Sequence, residues 1–325
     1  MLANKLKALA TSNGTLIGVI LLLVVFSITT DNFLTLDNIS NIAESSSALG
    51  VVAILMALLV VSGAVDLSVG SVASLAGILS GLVMVETGSI SLGIFIGLIV
   101  GIVAGVINGI LVSYLQFNSI VVTLGSMSVW GGLALFATGG RTVSGFPEQF
   151  IEFGFASVLG VPVDVVILIA AILYGFVVLE RKPYGRRLKM IGGSSRSAFL
   201  MGISVKKVQF FMFVQVGVAA SIAGMMLSTK LGAATPVSGQ GLEIGALTVV
   251  LLGGVAFTGG VGSVLGVVSG IFFVAILRNG LVVNDISQFL QQVFIGITLI
   301  AAVALDDTLR QRMLVRVKQA SSGEQ

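Results

Sequence analysis

Between residues 87 and 140 the chain carries no charged side chain. At 1.5 Å per residue in a helix, a run of that length crosses a hydrocarbon core of about 30 Å twice, with about 20 residues per crossing. Further apolar runs occupy residues 8–30, 45–65, 67–85, 164–180, 208–229, 244–277 and 287–305. The run 244–277 is read as two short broken helices, which brings the expected number of crossings to ten. Only 10% of residues are charged and 56% are hydrophobic, against about 25% charged in soluble domains. Such a chain cannot cover its surface with polar groups in water. The expected fold is an all-α, polytopic integral membrane protein forming a single transmembrane domain over residues 1–325, with spans roughly between residues 8 and 308. The flanks of the first run (Lys5, Lys7) resemble those of a signal peptide, but no small-residue cleavage site follows. It is therefore read as an uncleaved first helix.

The distribution of Lys and Arg sets the expected orientation. Fourteen of the seventeen lie near the N-terminus, in residues 181–207, or in the tail at residues 309–325. Ten crossings, six of them before residue 181, place all three clusters and both termini on the cytoplasmic side, as the positive-inside rule requires. Arg141, Lys230 and Arg278 fall outside this pattern. Residues 181–207 hold eight basic residues and no acid. Gly192 and Gly193 are expected to turn, Ser194 or Ser195 to cap a short helix, and Gly202 to end it. A short helix folded into a cytoplasmic loop suits docking of a soluble partner.

Gly93, Gly97, Gly101, Gly105 and Gly109 recur every fourth residue. On a helix they form one smooth ridge that lets a neighbouring backbone approach closely, and packing is the expected role. Asn108 lies beside the ridge. The tetrapeptide Val69-Gly70-Ser71-Val72 returns as Val261-Gly262-Ser263-Val264, a faint internal repeat of the kind whose Gly-interrupted segments line a pathway in transporters. Asp66 sits between long apolar runs. It either caps the next helix, together with Ser68, or faces a cavity at membrane depth. Glu243 opens a helix, where an acid is favoured. Asn118, Thr123, Ser126, Asn279 and Gln288 are neutral donors and acceptors that suit a polyhydroxylated neutral solute, and ordinary interhelical hydrogen bonding explains them as well. Trp130 is read as a packing or interface residue.

With no Cys and no His, thiol and imidazole chemistry and Cys/His metal sites are excluded. No Gly-Lys pair occurs, so the GxxxxGK[ST] phosphate loop is absent. No catalytic residues, cofactor or metal are expected, and the net charge of +3 is no nucleic-acid signature.

Several stretches together resemble the membrane permease subunit of bacterial ABC importers for monosaccharides, of the ribose, xylose, arabinose and galactofuranose type. They include Asn32-Phe33-Leu34-Thr35, the block Val65-Asp66-Leu67-Ser68-Val69-Gly70-Ser71, Val122-Thr123-Leu124-Gly125 and Tyr184-Gly185-Arg186-Arg187 leading into Ile191-Gly192-Gly193. Met201-Gly202-Ile203, Gly259-Gly260-Val261-Gly262-Ser263 and Asn279-Gly280-Leu281 follow in family order. The chain departs from the family pattern at Ser194, where Asn is usual, at Phe199, and at Trp130-Gly131 in place of Arg-Gly. The resemblance implies a pair of permease subunits, a second copy or a paralogue, within the bacterial inner membrane and its lipid. It implies a cytoplasmic ATP-binding subunit, which hydrolyses the ATP, and a periplasmic sugar-binding protein. It also makes the loop containing Gly185, Arg186, Arg187, Gly192, Gly193, Ser194, Ala198 and Gly202 the coupling element. An ion-coupled secondary transporter is the competing reading. That mechanism usually needs buried ionisable groups, of which Asp66 is the main candidate.

Overall fold

The computed structural model describes residues 14–30, 33–287 and 289–304. Its helices are α1 (Gly14–Thr29), α2 (Leu36–Val61), α3 (Val69–Thr87), α4 (Ile90–Gly109, continued by a π-helical turn over Ile110–Tyr114) and α5 (Ser119–Thr138). They continue with α6 (Glu148–Phe155), α7 (Val163–Phe176, with a π-helical turn over Val177–Arg181), α8 (Pro183–Gly193), α9 (Ser195–Leu200) and α10 (Val205–Leu231). The last are α11 (Leu242–Leu252), α12 (Val264–Val283) and α13 (Phe289–Ala304). Strand β1 (Val143–Ser144) pairs antiparallel with β4 (Ala233–Ala234), and β2 (Ser157–Val158) with β3 (Val161–Pro162).

Among the described residues seven helices are long and apolar enough to cross a membrane, namely α2, α3, α4, α5, α7, α10 and α12. The apolar helices α1, α11 and α13 are shorter. The run 244–277 does divide in two. However, α11 has 11 residues and reaches only about 16 Å, roughly half of a hydrocarbon core.

Local chemistry explains the boundaries. Ser89 caps α4 by accepting the Leu92 N–H at 3.3 Å. Asn118 caps α5 by accepting from Ile120 at 3.0 Å and Val121 at 3.3 Å. Gly232 ends α10 in the left-handed conformation at φ 59°, where a side chain would be strained.

Helix α2 is the hub. Every residue from Ser46 to Val61 is buried, and the helix packs against α7, α10, α11 and α12. Apolarity all round marks a helix enclosed by others. By contrast α5 leaves most of its apolar surface uncovered. The glycine ridge of α4 lies against α3 and α10: a Cβ at Gly101 would overlap the Gly217 carbonyl oxygen, and one at Gly217 would overlap that of Gly101. The two backbones meet where neither helix has a side chain.

Candidate functional site

The basic segment folds as two short helices. Pro183 starts α8 at a position that needs no N–H donor. The glycine pair does not form the turn expected of it. Gly192 and Gly193 are the last helical residues of α8, and the extended Ser194 (φ −163°) makes the corner. Ser194, not Ser195, caps α9 by accepting the Ser197 N–H at 3.2 Å. Gly202, at φ +80°, ends the unit. The reason is packing. A Cβ at Gly192 would overlap the Val61 carbonyl oxygen and the Gly260 backbone nitrogen, so this glycine is spent on close approach. Gly185 is likewise pressed against the backbone of Leu179, and Ala198 is buried. Gly193 faces open space, and Arg186 and Arg187 are exposed.

Gly192 meets the two places where the long helices break. Residues 62–68 interrupt α2 and α3, and residues 253–263 interrupt α11 and α12. Gly63 (φ +85°) and Gly259 (φ +84°) lie within van der Waals reach of Gly192, and the Gly260 N–H donates to the Val61 carbonyl at 2.9 Å. Gln209 at the start of α10 donates to the Ser62 carbonyl at 3.0 Å. The first tetrapeptide thus follows one break and the second closes the other, and the two breaks touch each other beneath α8. Through these backbone contacts α8 touches the breaks that join α2 to α3 and α11 to α12.

A groove of about 620 Å³ opens beside this knot. Arg186, Arg187 and Lys207 give it positive charge, and Met190, Met201 and Phe211 give it apolar wall. At its edge Phe199, Leu200 and Met201 are about 70% or more exposed in a row. Three consecutive exposed apolar side chains in a basic segment fit a protein partner better than water.

The residues proposed from sequence for a pathway do not converge. Asp66 is buried and fixes the turn that leads into α3 without capping the helix: its Oδ1 accepts the Ser68 N–H at 2.8 Å and the Ser68 hydroxyl at 2.6 Å, and no side chain caps the first turn of α3. Asn108 closes the cluster by donating to Asp66 Oδ2 at 3.1 Å and to Ser68 Oγ at 2.9 Å. Thr123 and Ser126 donate to carbonyls of their own helix, at 2.8 Å and 3.0 Å, and Asn118 is the cap already described. Asn279 makes a reciprocal amide pair with Asn38, at 3.0 Å and 2.9 Å, that ties α12 to α2. Gln288 lies outside the described residues.

Glu243 alone of the set lines a second cavity, of about 220 Å³. Ser71 and Ser74 from α3, Met127 and Leu135 from α5, and Gln240 join it there. Sequence reasoning passed over Ser71, Ser74 and Gln240. The signal present was the polar, Gly/Pro-rich stretch at residues 232–241, which reads as an ordinary surface loop.

The comparisons with known proteins bear on this arrangement. The family described as the branched-chain amino acid transport system / permease component matches residues 38–303. The chain belongs to that family. It is 34% identical to the ribose import permease protein RbsC of Bacillus subtilis (strain 168), over 90% of this chain and 92% of that one. It is 33% identical to the L-arabinose transport system permease protein AraH of Escherichia coli (strain K12), over 90% and 89%. With the D-allose transport system permease protein AlsC of the same organism the identity is 33%, over 90% of each. No solved structure matches the chain. Permease family membership and seven membrane-length helices agree with a multi-pass membrane protein.

Proposed function

We propose that this chain is the permease subunit of an ATP-binding-cassette importer for a sugar, carrying it across the bacterial inner membrane by alternating access. A separate cytoplasmic subunit hydrolyses the ATP, a periplasmic protein delivers the sugar, and two permease subunits form the pathway. In this reading the chain makes ten crossings with both termini cytoplasmic, the eighth made by α11 together with the non-helical segment before it. The family name alone allows an amino acid. The relatives named for ribose, arabinose and allose favour a sugar, and so does a second cavity that offers hydroxyls and an amide rather than a pair of opposite charges.

The observation that carries the coupling role is the position of α8 and α9. They present the basic and apolar groove outward while Gly192 seats them on both helix breaks. ATP-driven closure of a subunit docked in that groove would pull on α2, α3, α11 and α12 together.

Gly193 is the point of test, because nothing lies within 4 Å of a Cβ built there. Gly193→Trp is expected to insert and fold normally, to lose the co-purifying ATPase, and to abolish uptake. Detergent pull-down with mild crosslinking measures the first effect and radiolabelled sugar uptake the second. Retention of the ATPase with normal uptake contradicts the coupling role of α8.

A further inference from the structure

Helix α10 has 27 residues, about 40 Å, so it crosses the whole core and ends on the face opposite α8 and α9. The chain then turns back. The C-terminal end of α11 leads into residues 253–263, which touch Gly192, so it lies at the α8 face. With only 11 residues, about 16 Å, the start of α11 is near mid-depth. Residues 235–241 therefore carry non-helical backbone into the middle of the membrane. There the Gly239 N–H donates to Ser74 Oγ at 2.9 Å, and Gly239 and Gly70 meet backbone to backbone.

Non-helical backbone at this depth is tolerated only where protein buries it or where it lines a water-filled cavity. Gln240 is exposed, and its side-chain amide makes no hydrogen bond among the described residues. Ser71 across the cavity is half-exposed and equally free. An unpaired amide against lipid costs several kcal/mol, of order 2–7. Behind them Ser238 Oγ and Glu243 Oε2 are buried with no partner among the described residues. The other oxygen of Glu243 accepts the Gly241 N–H at 3.1 Å and so holds the turn in place.

We propose that Gln240 and Ser71 form a solute contact of the translocation path, at mid-depth between α3, α5 and the non-helical segment, which hydrogen-bonds the hydroxyls of a neutral polyol. This rests on the reading of the chain as a sugar permease. An amide and a hydroxyl can each donate and accept, which matches alternating donors and acceptors on a sugar ring. At about 220 Å³ the cavity is smaller than a usual ligand pocket of 300–1,000 Å³, as suits brief contact during passage.

The chain has no cysteine, so single cysteines report alone. Gln240→Cys, Ser71→Cys and, as a control on the uncovered face of α5, Phe136→Cys would be placed in the full-length chain with its partner subunits. Membrane vesicles of both orientations would be treated with 2-sulfonatoethyl methanethiosulfonate, with and without ATP. The expected result is modification of both cavity cysteines in at least one condition, slowed by the transported sugar among D-ribose, L-arabinose and D-allose, with Phe136→Cys inert. Gln240→Ala is expected to lower kcat/KM for uptake about three- to tenfold at unchanged membrane level. The site is overturned if Gln240→Cys is as inert as the control in every condition, or pairs with a second copy as a disulfide. Sugar uptake by the wild-type chain alongside an inert Gln240→Cys defeats the site and not the permease reading. Labelling of Gln240→Cys with none of the three sugars carried or protective defeats the polyol assignment and with it the sugar reading.

Discussion

At the residue scale, adjacent glycines in α8 have different work. Gly192 faces the backbone of Val61 and Gly260, whereas Gly193 faces open space. Gly192→Ala is expected to lower thermal stability in detergent and to cut uptake severely, because the added methyl has backbone on both sides. Gly193→Ala is expected to leave uptake intact and to raise stability by up to about 1 kcal/mol, the usual helix-propensity gain over glycine. Differential scanning fluorimetry on the two variants separates the roles; equal effects would contradict the knot. The sequence showed the Gly-Gly pair but not which member is buried, because that depends on the loop around Gly259 arriving from the other end of the chain. Lys230 is similar. It breaks the charge pattern of the sequence, and the structure accounts for it through ion pairs with Glu44 at 2.8 Å and Asp164 at 3.5 Å. Both partners are far away in sequence.

At the element scale, the apolar runs gave most helices directly, because a membrane core demands length and lipid tolerates apolar side chains on every face. That same uniform apolarity hid which face of each helix is inward. The glycine ridge of α4 was an exception, since period four survives where hydropathy carries no pattern. Gly101→Leu is expected to separate α4 from α10 and to reduce folded protein in the membrane by well over half, as judged by size-exclusion profile; an unchanged profile would contradict the close approach of Gly101 and Gly217. The return of residues 235–241 to mid-depth was not legible. Pro236, Gly239 and Gly241 read as a surface loop, and only the short α11 anchored at the α8 face shows how deep the loop goes. For the same reason Glu243 was found through its helix start, while Ser71 and Gln240 were passed over.

At the scale of the whole molecule, one face carries a basic, partly apolar groove, and a second cavity sets Ser71, Ser74, Gln240 and Glu243 among apolar side chains near the start of α11. They share components. Helix α3 begins beside the Gly63 break and lines the cavity with Ser71 and Ser74, and α11 runs from the cavity to the Gly259 break. Movement of α8 would therefore change the cavity by shifting the helices that bound it. Asp66, the acid singled out in the sequence for ion coupling, is occupied by Ser68 and Asn108. The measurement that tests this account most directly is sugar uptake into vesicles containing the full transporter, with ATP supplied on the α8 side and ionophores present to collapse proton and sodium gradients. Uptake is expected to need ATP and to survive the ionophores. Uptake that ignores ATP and stops when the gradients collapse, and that is lost in Asp66→Asn, would contradict it.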